Sequence, residues 1–252
     1  MVGQAHLQNK ERRRFLVIIP AYNEEEHIAE VIDKIRKTNS NYDILVINDC
    51  STDLTVSIAS RSGAGVISHA FNIGYGGTIQ TGYKFALEQG YDYIAQIDGD
   101  GQHDPSYLNR LFDSVQKGEA DIVLGSRFLG ENTFRMPFIR KVGQWLFGWI
   151  ATLIIDQKIT DPTTGYQSFT KEVAEFMAQN TFPQEYPDAD LIIMLHYAGF
   201  KIKEIPVRMY PKVDGKSMHS GLFKPFRYVV EMTLSILLII LRGKVYAEKS
   251  NN

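Results

Sequence analysis

Five short apolar runs, each followed by a polar turn and then by helical spacing, limit what this chain can fold into. Phe15–Ile19 is rich in β-branched residues and stops at Pro20-Ala21-Tyr22-Asn23-Glu24, after which Ile28, Val31, Ile32 and Ile35 recur at helical spacing. Asn23 is a candidate N-cap for that helix, and acidic residues in its first turn complement the helix dipole. Asp43–Ile47 leads to Asn48-Asp49-Cys50-Ser51-Thr52-Asp53, then a helix over 54–62 and a strand over 65–68. The glycine-rich stretch 72–78 reads as a loop before a helix over 78–89. The run 93–97 enters Asp98-Gly99-Asp100-Gly101-Gln102, a helix covers 105–117, and a strand over 121–125 ends at Ser126-Arg127. This alternation predicts an α/β fold, a mostly parallel sheet with helices on both faces. Ligands of such sheets settle beyond the carboxyl ends of the strands, and the five polar segments all fall there.

Asp98-Gly99-Asp100 places two carboxylates at a strand end, where a hard divalent cation finds oxygen ligands. Mg2+ keeps several waters and bridges one or two carboxylates to a substrate's phosphates. The flanking glycines allow a tight turn and a close approach. A solvated acidic turn has the same local pattern, and it is the other four polar loops on the same edge that favour the metal. His103 beside the motif reads as a support for it or as turn packing, since hard cations prefer oxygen. No G-x-G-x-x-G follows the first strand and no G-x-x-x-x-G-K-[ST] occurs, which excludes dinucleotide-fold and P-loop signatures.

Charge divides along the chain. Residues 1–125 carry 11 Lys and Arg against 17 Asp and Glu, and the remainder carries 16 against 12. The acidic half suits a cation and the basic half an anionic partner; no nucleic acid is expected. Cys50 is the single cysteine, so no intrachain disulfide forms, and residues 1–14 show no secretory signal. These residues read as a flexible polar tail ending in Arg12-Arg13-Arg14, a solvated arm or a phospholipid contact.

Two segments carry the chain's densest apolar character. Residues 138–155 hold Trp145 and Trp149 one helical turn apart, a pattern of either a core helix or a bilayer-interface helix. Tyr228–Leu241 is apolar but interrupted by Glu231 and bounded by Arg227 and Arg242, too short for the roughly 20 residues of a span. It reads as an amphipathic helix lying in an interface or packing on 138–155. The expected division is a tail at 1–14, an α/β domain at 15–220 and a C-terminal amphipathic helix and tail at 221–252.

The ordered motifs IPAYNEEEHI, VINDCSTD, NIGYGGTIQTGYKFA, QIDGDGQHDP, LGSRF, DPTTGYQS, YPDAD and EIPVRMYPKVDGKSM resemble those of family 2 glycosyltransferases, from about Phe15 to Ser217. The nearest branch is similar to the polyprenyl-phosphate glycosyltransferases of the dolichol-phosphate mannose synthase type. The resemblance implies the GT-A fold and the transfer of a sugar, with inversion, from a nucleotide diphosphate to an undecaprenyl- or dolichyl-type phosphate. The implied donor is a UDP-sugar such as UDP-GlcNAc or UDP-glucose, with GDP-mannose open. The implied cofactor is Mg2+ or Mn2+, and the implied location is the cytoplasmic face of a membrane, as a peripheral or monotopic protein, with an oligomer compatible.

By the same resemblance Pro20, Tyr22 and Glu24 line base and ribose, Asp49 accepts a hydrogen bond from the base, and Asp98 holds sugar or ribose hydroxyls. Asp100 and Gln102 are the implied metal ligands, and Arg127 with Arg140 binds the acceptor phosphate. Lys212 reaches the diphosphate where the family commonly has Arg, with Lys216 a nearby competitor. The family usually has Gly at the position of Cys50. Asp188 and Asp190 of YPDAD either position acceptor or sugar or cap a helix over 188–198; Asp190 is the candidate catalytic group of the pair. Two alternatives accompany this reading: addition of a sugar to a glycan hydroxyl in cell-surface polysaccharide synthesis, which needs a true base near YPDAD, and an inactive nucleotide-sugar-binding protein.

Overall fold

The computed structural model describes residues 13–129, 138–180, 182–183, 187–210 and 224–249, except for the side chains of 138–142, 224–228 and 242–249. Most of the polar arm, Lys212 and Lys216 lie outside the described residues, as does the side chain of Arg140. Arg14, read with the arm, is tied into the fold: its amide donates to Asp92 Oδ2 at 2.8 Å and its carbonyl accepts from the amides of Asp92 and Tyr93.

The strands are β1 (Phe15–Ala21), β2 (Asp43–Asn48), β3 (Gly65–Ser68), β4 (Tyr93–Gln96), β5 (Ile122–Ser126), β6 (Gln167–Thr170) and β7 (Ile202–Pro206). They form one sheet in the order β3-β2-β1-β4-β6-β5-β7. Every pairing is parallel except those of β6, which runs against β4 and β5. The helices are α1 (Ile28–Thr38), α2 (Thr55–Arg61), α3 (Tyr75–Glu88), α4 (Leu108–Gln116), α5 (Phe138–Ile155), α6 (Lys171–Met177), α7 (Ala189–Tyr197) and α8 (Lys224–Lys249).

Successive side chains of a strand point to opposite faces, and β1 shows the result. Leu16 and Ile18 join a core with Ile79 and Tyr83 of α3, Phe147 of α5, Val173 of α6, Ile193 of α7 and Met232 of α8. Val17 and Ile19 join the other, with Ile28 and Ile32 of α1, Ala59 of α2 and Leu111 of α4. Helix α3 lies so close to β1 that a Cβ at Gly82 would fall 2.7 Å from Ile18 Cγ2.

Three local features differ from the sequence reading. Asn23 does not cap α1; it sits at φ 55° and its Oδ1 accepts from the Thr52 amide at 2.9 Å, joining the β1 and β2 turns. Gly76 and Gly77 form the buried first turn of α3 rather than a loop, because Gly74 at φ 86° turns the chain directly into the helix. The strands β6 and β7 were not apparent in the sequence. The reversal of β6 matters for the site: pairing of Gln167 with Gln96 brings the residues that precede β6 to the edge where β4 ends.

Candidate active site

Asp49 follows β2 and organises the first half of the edge. Its Oδ1 accepts from His69 Nδ1 and from the Ile73 amide, both at 2.9 Å, and its Oδ2 accepts from the Gly74 amide at 3.0 Å. The carboxylate thus fixes the loop that opens α3. Pro20 is buried at the end of β1, Tyr22 is exposed beside it, and the Glu24 amide donates to Thr55 Oγ1 at 2.8 Å. Cys50 adopts φ 64°, the left-handed region, so the Cys is strained where glycine would be at ease.

Asp98 follows β4 at the centre of the edge. Tyr75 donates to its Oδ1 at 3.0 Å, and His103 Nε2 lies 3.2 Å from its Oδ2. Burial pushes the Asp98 carboxyl up, but the bonds from His103 and Tyr75 and the charge of Arg127 outweigh it and hold the group below its ordinary range. Tyr75 stays protonated, its hydroxyl raised by burial and then by Asp98. Behind it, Gln96 Nε2 donates to Tyr75 Oη at 2.7 Å and Gln96 Oε1 accepts from Tyr83 at 2.5 Å. A Cβ on Gly165 would lie 2.5 Å from Tyr75 Oη and 3.1 Å from Asp98 Oδ1, so this segment must present a glycine here.

The next two site residues lie in the turn that follows β4. Asp100 Oδ1 accepts from the Gln102 amide at 3.1 Å, and Gln102 Nε2 donates to the Tyr210 carbonyl at 3.2 Å. That amide orientation leaves Gln102 Oε1, not its nitrogen, to meet a cation. Among the described residues no three His, Cys, Asp or Glu side chains converge to hold a metal alone. A carboxylate and an amide oxygen, from Asp100 and Gln102, are of the oxygen type that Mg2+ or Mn2+ would take, with phosphate and water as the other ligands it would need.

Arg127, after β5, is buried against Asp161. Its Nε donates to Asp161 Oδ2 at 2.7 Å and its Nη2 to Asp161 Oδ1 at 2.6 Å; Nη2 also reaches Thr163 Oγ1 at 2.7 Å. Burial favours the neutral guanidine, yet Asp161 more than offsets it and Arg127 remains charged. Glu204 of β7 braces the partner by accepting from the amides of Thr160 and Asp161, both within 3.1 Å, while Gln144 of α5 donates to Asp161 Oδ1 at 2.9 Å.

The two carboxylates before α7 part company. Asp190 is buried: Oδ1 accepts from the amides of Asp188 and Leu191, and Oδ2 accepts from Ser235 of α8 at 2.6 Å. It holds the start of α7 to α8 rather than facing the cleft. Asp188 is half-buried and lies within electrostatic range of Tyr75 and Arg127. Sequence reasoning missed Tyr75, Gly165, Asp161 and His69. The DPTTG motif, which holds both Asp161 and Gly165, was the available signal for two of them.

The chain is similar to known proteins in sequence and in fold. Residues 16–175 match the family described as Glycosyl transferase family 2. An undecaprenyl-phosphate mannosyltransferase of Micrococcus luteus is 30% identical over 216 residues, covering 82% of this chain and 88% of that protein. A UDP-N-acetylglucosamine–dolichyl-phosphate N-acetylglucosaminyltransferase of Methanococcus voltae is 29% identical over 246 residues, covering 88% and 97%. Among solved structures, glucosyl-3-phosphoglycerate synthase of Mycobacterium tuberculosis with Mn2+ and UDP superposes with a TM-score of 0.68 at 20% identity, over 89% of this chain and 80% of that one. A seven-stranded GT-A sheet and a family match over most of the chain make this protein a glycosyltransferase belonging to family 2.

Proposed function

We propose that the chain moves a monosaccharide from a nucleotide diphosphate sugar to a polyprenyl phosphate of undecaprenyl or dolichyl type, inverting the anomeric carbon. One observation carries this reading: Asp98, Asp100 and Gln102 follow β4 and Arg127 follows β5 at the same edge of the sheet, and the charge of Arg127 reaches Asp98. A carboxylate able to hold sugar hydroxyls thus lies opposite a cation able to attract a phosphate. The names of the two relatives, both acting on lipid phosphates, support the acceptor class.

Asp98 is held in one orientation by Tyr75 and His103, so it can accept from two donor hydroxyls without moving. Arg127 is oriented by Asp161 before the acceptor arrives, which lowers the ordering cost of binding. The acceptor phosphate oxygen attacks the anomeric carbon while the bond from that carbon to the diphosphate breaks. An acceptor that is already anionic needs no strong base, so Asp188 serves to position sugar or acceptor, with Asp190 fixing the helix behind it. A divalent cation on Asp100 and Gln102 would stabilise the charge gathering on the leaving diphosphate.

Two exposed apolar stripes support a membrane-surface location. Trp145, Trp149 and Leu153 line the outer side of α5, opposite buried Phe147 and Ala151. Val230, Leu234, Leu237, Leu238 and Leu241 do the same on α8, opposite Met232, Ile236 and Ile239. Among the described residues no helix is long and apolar enough to cross a membrane.

The test is incubation with Mn2+ or Mg2+, undecaprenyl phosphate and a panel of radiolabelled nucleotide sugars, followed by counting the organic phase. One donor should give lipid-linked product, and chelation or Asp100→Ala should abolish it. Product formed only on a glycan hydroxyl would replace the acceptor assignment, and full activity of Asp100→Ala would remove the metal assignment.

A further inference from the structure

The hydrogen bonds that Asp49 already makes decide which base it can still receive. A carboxylate offers about four acceptor positions on its two oxygens. Oδ1 accepts from His69 Nδ1 and the Ile73 amide, and Oδ2 from the Gly74 amide. Only Oδ2 therefore retains an acceptor position. The side chain is 5% exposed, so a ligand reaches it through a narrow opening. His69 cannot swing aside freely, because Thr81 Oγ1 braces its Nε2 at 3.0 Å.

The nucleobases differ in what they offer such a group. Uracil presents a single hydrogen, on N3, between two carbonyl oxygens. Guanine presents two adjacent hydrogens, on N1 and N2, which pair with a carboxylate only when both of its oxygens are open. Cytosine carries no hydrogen on N3. We infer that His69 is a specificity-determining residue: by filling Oδ1 it leaves Asp49 one acceptor, which matches a uridine nucleotide and leaves a guanosine nucleotide with a buried N–H unpaired. A buried donor without a partner is penalised more heavily than a made bond is rewarded. The inference rests on the proposed role of Asp49 at the base.

Calorimetric titration of the full chain with UDP, GDP and CDP in Mn2+ tests it. The wild type should bind UDP at least roughly tenfold more tightly than GDP or CDP. In His69→Ala the Oδ1 position reopens and the UDP-to-GDP ratio should fall severalfold. His69→Asn, whose amide nitrogen can replace Nδ1, should keep the ratio; this variant and the wild-type ratio decide the matter if thermal melting shows His69→Ala unfolded. Equal affinity for UDP and GDP in the wild type, or an unchanged ratio in folded His69→Ala, overturns the inference while leaving a nucleotide-sugar enzyme. Binding of none of the three removes the nucleotide-sugar reading with it.

Discussion

Arg127 and Asp161 meet side-on, through Nε and Nη2, in a bidentate ion pair, with the Asp161 side chain wholly excluded from solvent and the Arg127 side chain 10% exposed. Breaking a buried pair from one side strands the other charge, which costs about 3–5 kcal/mol. Asp161→Ala should therefore lower stability by about that amount in urea denaturation and abolish transfer. Arg127→Lys keeps the charge and loses the fork, so it should fold while losing most activity.

Gly165 stands directly against Tyr75 and Asp98. The methyl of Gly165→Ala would press on Tyr75 Oη and Asp98 Oδ1, and a displacement near 1 Å can cost about a hundredfold in rate. Steady-state kinetics should show a fall of about that size in kcat/KM, and the overpacking beside buried Tyr75 should lower stability by about 1–3 kcal/mol in urea denaturation. A fully active Gly165→Ala would show that Asp98 does not need its present position.

Cys50 holds a left-handed backbone at φ 64°. That conformation costs an ordinary residue about 1–2 kcal/mol and costs glycine almost nothing. Against it stands the extra freedom of glycine in the unfolded chain, so Cys50→Gly should gain about 1 kcal/mol or less. Thermal denaturation of the two proteins at one pH measures it, and a lower midpoint for the glycine variant contradicts the strain.

Asp190 links stability to pH. Burial raises its carboxyl above the ordinary range despite bonds from Ser235, Leu191 and Asp188. The folded chain therefore holds this proton more tightly than the unfolded one. The associated stability is fully present below the unfolded value of about 3.9 and is lost as pH rises through the raised folded value. Asp190→Asn carries no charge, keeps the two amide bonds on its Oδ1 and reverses the third, its Nδ2 donating to Ser235 Oγ. Its stability should match the wild type near pH 4 and exceed it at pH 7.5, as read from urea midpoints.

The sequence showed the first five strands and their polar turns, because each apolar run is short, β-branched and closed by a turn. The edge that collects Asp49, Asp98, Asp100 and Arg127 followed from that pattern. The reversed strand β6 did not, since Gln-Ser-Phe-Thr is half polar and its buried Gln167 and Ser168 mimic a loop. The supports of the site were hidden for a related reason. Tyr75 meets Asp98, and Asp161 meets Arg127, across 23 and 34 positions of chain, and no local period encodes such meetings. Asp190 looked like site chemistry because a carboxylate in a motif does not announce which way it points.

The reversed strand β6 makes the sheet a joint between two modules. On one side of it, four parallel strands carry the loops proposed to take the donor; on the other, β5 and β7 carry Arg127 and the segment around Tyr210. Asp161 to Gly165 sit in the return path between them and touch both. Exchange of residues 128–160 with those of a relative could retune the acceptor while the donor half stays intact. Gly165 and Asp161 would remain the points where the two inventories must still agree.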